Sequence, residues 1–126
     1  MTAEEIVLGG YASYMEGDME ALGRIYHPEC KITMNGNHAL SGVYIGFDAF
    51  HKGILAKLNT AWPGFKPEIE KVVSNETDVV VFLKITAMNL ESRSVHHFVV
   101  KEGLQVEFNI YDDSQLAAEA IQIKSN

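Results

Sequence analysis

The chain has 126 residues, 47% of them hydrophobic, and a net charge of -7, which describes one globular domain large enough to bury a core. Its ten basic residues form no stripe that would neutralise phosphates, so nucleic acid is excluded as a partner and a neutral or apolar small molecule is expected instead. The single cysteine, Cys30, rules out an internal disulfide framework; with no bilayer-length apolar run and an acidic start, the expected setting is cytoplasmic, with no membrane partner.

Residues Ala3 to Glu16 read as a helix with Val7, Tyr11, Tyr14 and Met15 near one stripe, ended by Gly17. Within it Gly9 and Gly10 cost roughly 1 kcal/mol each relative to alanine. Asp18 caps a second, short helix whose Leu22, Ile25 and Tyr26 turn inward, and His27-Pro28 stops it. A short strand over 30–35 leads into a polar loop carrying a solvent-facing His38. A third helix opens at Gly46-Phe47-Asp48 with Asp48 as its cap. Phe50, Ile54, Leu55 and Leu58 form its apolar side, His51 lies on its surface, and Trp62-Pro63-Gly64 closes it.

Residues 66–111 read as strands, at about 66–74, 78–89, 94–101 and 104–111, with Asn75-Glu76-Thr77 as the first hairpin turn. Helices followed by such a run indicate an α+β domain, its helices packed on one face of a curved antiparallel sheet. In the second strand Val79, Val81, Leu83 and Ile85 share one face, while Val80, Phe82 and Met88 share the other. Both faces are apolar, so both need cover. The helices can cover only one, which predicts a homodimer through the outer sheet face.

The candidates for chemistry fall in residues 92–113. Alternation sets His96, Phe98 and Val100 on one face, with His97 and Val99 on the other. A three-residue loop, Lys101-Glu102-Gly103, brings Phe108, Ile110 and Asp112 to the His96 face; a two-residue loop brings Gln105, Glu107 and Asn109 there instead. In the first register an imidazole and a carboxylate share an apolar floor. His96 then suits a general acid/base or a donor to a substrate carbonyl, against the plainer reading of a satisfied core histidine. Asp112 suits a base whose pKa burial raises, while Asp112-Asp113-Ser114 also reads as the cap of a C-terminal helix near Gln115. Tyr14, Tyr44 and Trp62 either line the pocket and offer hydrogen bonds or are ordinary core, as is Met34. Adjacent strand positions keep His96 and His97 from forming a metal pair. With no phosphate loop, paired cysteines or metal-spaced histidines, no cofactor and no metal are expected.

Four segments, YASYMEGDMEALGRIY, LSGVYIGFDAF, AWPGFKPEIEKVV and HHFVVKEGLQVEFNIYDD, together resemble the SnoaL-like and ketosteroid-isomerase-like branch of the nuclear transport factor 2 superfamily. The resemblance covers nearly all of residues 1–126 as a single domain. It implies a cone, in which a curved sheet wraps three helices around an apolar pocket lined by Tyr14, Met34, Tyr44, Trp62, Phe98, Phe108 and Ile110. Members of this shape are often dimers. The isomerase pattern of a tyrosine, a carboxylate base and a protonated aspartate falls on Gly10, Met34 and His96, which argues against steroid isomerisation by that route. SnoaL-like cyclases are similar at His96, with a separate aspartate as base, a part open to Asp112 or Asp113. The implied function is a small-molecule site for cofactor-free isomerisation, cyclisation, dehydration or hydration; the alternative is a non-catalytic ligand-binding or assembly module.

Overall fold

The computed structural model describes residues 1–123. Helix α1, Ala3–Glu16, starts on a capping box in which Thr2 Oγ1 accepts from the Glu5 amide and Glu5 Oε1 accepts from the Thr2 amide. It ends where Gly17 adopts the left-handed φ of 75°. Its buried side carries Ala3, Ile6, Val7 and Gly10, whereas Met15 is exposed and leaves the predicted stripe. Gly10 has a packing reason: a Cβ there would sit 2.7 Å from Ile25 Cδ1 and 3.4 Å from Leu22 Cδ1. Helix α2, Met19–Gly23, is capped by Asp18 as expected.

Strand β1, Tyr26–Met34, starts earlier than the sequence suggested, so His27-Pro28 lies within a strand rather than stopping a helix. Proline is tolerated there because an irregularity in the β1 register spans residues 26–31. Strand β2, Gly42–Ile45, follows the polar loop, at residues that beyond Gly42 the sequence assigned to no element. The expected third helix is broken into α3, Phe47–Gly53, a 3₁₀ turn, Leu55–Lys57, and α4, Leu58–Ala61. Gly46, not Asp48, takes its N-cap position, with φ 83° and no side-chain cap. Strands β3, Lys66–Ser74, β4, Asp78–Ala87, β5, Leu90–Lys101, and β6, Leu104–Asp112, follow, then α5, Ser114–Ala120. Asn75 Oδ1 accepts from the Thr77 and Asp78 amides and so closes the β3–β4 turn.

The six strands form one curved sheet in the order β2-β1-β6-β5-β4-β3. Every pairing is antiparallel except β1 with β6, which is parallel. Helices α1 and α3 pack on the concave side, where Val79, Val81 and Leu83 are fully buried and Ile85 nearly so. At roughly 25 cal/mol per Å² of apolar surface, each such side chain contributes about 1.5–3 kcal/mol. On the convex side Val43, Ile45, Val73, Phe82 and Tyr111 remain exposed. Among the described residues no helix is long and apolar enough to cross a membrane.

Candidate functional site

The β5–β6 turn decides which residues face inward. Lys101 pairs with Leu104, leaving a two-residue turn of Glu102 and Gly103, with φ 51° and 80°. The three-residue loop is therefore corrected. Alone, the shorter turn would send Asp112 to the convex side. Val106, however, is unpaired: Val100 opposes Gln105 while Val99 opposes Glu107. This bulge shifts the face of β6 by one residue. Gln105 before it, and Phe108, Ile110 and Asp112 after it, all share the His96 face. Each predicted register holds on one side of the bulge.

That face floors a cavity of about 90 Å³ between the sheet and α1, α3 and α4. His96, Asp112, Tyr14, Met34, Trp62, Phe98, Phe108 and Ile110 all line it. Tyr44 does not. Its position on the edge strand β2 carries the ring over Gly53, and its hydroxyl donates to the Leu40 carbonyl at 2.8 Å. Trp62 presents its ring to the cavity, but its Nε1–H donates to the Ala117 carbonyl at 3.0 Å and is unavailable to a ligand. His38 also departs from expectation. It packs edge-on against Trp62, 5.4 Å between centroids, and burial lowers its pKa.

Tyr11 and His96, 85 positions apart in sequence, meet in the cavity wall with Oη 2.6 Å from Nδ1. Burial pushes the Tyr11 phenol well up and drops His96 from its ordinary 6.5 to about 3, so both are neutral at physiological pH. A neutral phenol is the stronger donor, which assigns the proton to Oη and the acceptor role to Nδ1. His96 then carries its own proton on Nε2, and no described residue takes it up. His96 is half-buried as a residue and lines the cavity beside Phe98 and Phe108. The ring is thus an oriented neutral donor rather than an acid.

Asp112 opposes Ser94 across the sheet, diagonal to His96 and roughly 7 Å away by strand geometry. Burial raises its pKa above 3.8, opposed by the Ser94 hydroxyl, which donates to Oδ1 at 2.5 Å. Asn35 fixes its backbone: Oδ1 accepts from the Asp112 amide and Nδ2 donates to its carbonyl, each at 3.0 Å. Asp113 takes the cap role instead, accepting from the Leu116 amide at 3.1 Å. His97, on the convex side, pairs with Asp78 at 2.7 Å. Cys30 is buried with its thiol pushed up to about 12, which leaves it unreactive. Among the described residues no three His, Cys, Asp or Glu side chains gather where they could hold a metal ion.

Over residues 7–108 the sequence matches the family described as the SnoaL-like domain. The chain belongs to the SnoaL-like family. Solved structures of the nuclear transport factor 2-like fold agree. A protein from Burkholderia thailandensis superposes with a TM-score of 0.84 at 23% identity, over 95% of this chain and 97% of that one. Bal32a, from a soil-derived mobile gene cassette, gives 0.84 at 21%, over 93% and 94%. TerC, co-crystallised with polyporic acid, gives 0.80 at 21%, over 92% and 95%. No curated protein matches the chain.

In this SnoaL-like domain the sequence reading missed Tyr11 as a site residue. The isomerase pattern points to position 10, a glycine, and the hydroxyl comes from the next residue. The only local signal was an aromatic on the inward stripe of α1.

The two titrating groups act on stability with opposite signs. The lowered pKa of His96 adds stability that is complete above pH 6.5 and is lost as pH falls from 6.5 through about 3. The raised pKa of Asp112 makes a contribution that is lost as pH rises above 3.8. His96 therefore makes the unfolding free energy from urea titrations decline with acidification below pH 6.5, against an opposing rise from Asp112. In His96→Gln, which can still accept from Tyr11, that decline should flatten. An unchanged slope would mean that His96 is not the group responsible.

Proposed function

We propose that this SnoaL-like domain binds a small, largely apolar cyclic molecule and performs cofactor-free general acid/base chemistry on it. In this reading His96 Nε2–H hydrogen-bonds a substrate oxygen. The Asp112 carboxylate removes a proton from the carbon beside the carbonyl. The resulting acid returns it to another carbon in isomerisation, to the new alkoxide in cyclisation, or to the departing hydroxide in dehydration, with hydration the reverse of the last. The observation that carries the reading is the Tyr11–His96 hydrogen bond beside Asp112, because it turns an apolar cavity into one with a donor and a base on the same wall. TerC's crystallisation with polyporic acid supports a small-molecule occupant without carrying that ligand over.

Proton exchange tests the proposal without knowledge of the natural substrate. Cyclohexanone and 1-indanone, held in D₂O with the protein, should lose α-protons faster than in buffer alone by NMR. Binding without exchange would favour the alternative, a pocket that holds its ligand without chemistry. Neither binding nor exchange would overturn both.

We also propose a homodimer through the convex sheet face, supported by the exposure of Val73 and Phe82 on adjacent strands. A monomer at micromolar concentration in sedimentation would overturn it. The buried, reduced Cys30 is consistent with a cytoplasmic setting.

A further inference from the structure

Gln105 is 1% exposed, lines the cavity, and among the described residues its Nε2 has no hydrogen-bond partner. Its backbone amide donates to the Ile25 carbonyl at 2.7 Å, which fixes the main chain from which the side chain projects. Beside it stand the Tyr26 phenol, close enough for the amide to lower that group's pKa against its burial, and Gly10, where a Cβ would stand 3.9 Å from Oε1. A buried amide donor left unpaired is costly, and an apolar residue of the same length would avoid that cost. The Val106 bulge alone brings Gln105 and Asp112 to one face, at the two ends of β6. From Ile110, which opposes His96, back to Gln105 is about 13 Å of strand once the bulge is discounted. A second pocket shares Tyr14, Leu55, Phe65 and Pro67 with the cavity, but not Gln105.

We infer that Gln105 is a second polar anchor of the ligand site, deep in the cavity, which recognises an uncharged hydroxyl or carbonyl oxygen at the end of the ligand remote from His96. The inference rests on the small-molecule reading above and narrows it to ligands with oxygen functions at both ends of an apolar body. A carboxamide offers donor and acceptor together, so it discriminates against an analogue lacking that oxygen.

The matched probes are 2-naphthol and naphthalene-2,6-diol, which differ by that one oxygen, titrated against wild type and Gln105→Met by fluorescence. Wild type should bind the diol at least tenfold more tightly. Gln105→Met should erase the preference while leaving 2-naphthol affinity within about threefold. Equal binding of both compounds by wild type, or a preference that survives in the variant, overturns this inference and leaves the pocket reading standing. Failure of both compounds to bind overturns the two together. Melting of the unliganded variant separates a structural role: Gln105→Met should melt no lower than wild type, and a drop beyond about 3 °C would assign the amide to the fold instead.

Discussion

Asp112→Asn should slow ketone α-proton exchange by about 10²–10⁴-fold, the usual contribution of one general base. Asparagine keeps the shape of the carboxylate, and its Oδ1 can still accept from Ser94. The Asn35 clamp grips only the backbone of residue 112 and is untouched. The fold should therefore survive and the rate should not, with KM changed little because the lost interaction belongs to the proton transfer. His96→Ala should cost about 10²–10³-fold through loss of the donor that meets the developing oxyanion. Steady-state exchange rates for the two variants decide the matter. If both stay within threefold of wild type, the base and the donor lie elsewhere and the acid/base reading falls.

Trp62→Ala should lower the unfolding free energy by about 3–5 kcal/mol, the range for truncating a large buried aromatic. Trp62 is 2% exposed, packs against Phe65 and His38, and ties the α4 end to α5 through its bond to Ala117. The Ala117 carbonyl also accepts from the Ile121 amide, so it is not orphaned by the change. The loss is therefore mainly one of packing. Trp62→Phe keeps most of the ring and should cost clearly less. For a domain of this size the alanine variant should melt about 10–20 °C lower, by calorimetry or circular dichroism. A cost below about 1.5 kcal/mol would mean that the cavity wall collapses around the gap, and the void could not be the rigid space described above.

Local chemistry made much of the architecture legible. Gly17, Asp18 and Asp113 mark helix ends because capping depends on residues within a turn of one another. The Val79, Val81, Leu83, Ile85 series announced the buried face of β4 because side-chain alternation is a property of one strand. The same rule put His96 inward and His97 outward. Asp48 was misleading, since the sharp approach needs the positive φ of Gly46, and a cap position follows from backbone path as well as residue type.

The residues alone determined an α+β chain of helices and alternating strands, with an imidazole, a carboxylate and aromatics as the candidates for one concave face. Tertiary structure decided which of them meet. The Val106 bulge costs a single unpaired residue and leaves no trace in the alternation, yet it sets whether Asp112 faces the cavity or the convex side. The Tyr11–His96 bond, the parallel β1–β6 pairing and the diversion of Tyr44 all join or separate positions far apart in sequence. Periodicity reports which way a residue points along its own element; only packing one element against another fixes what stands opposite.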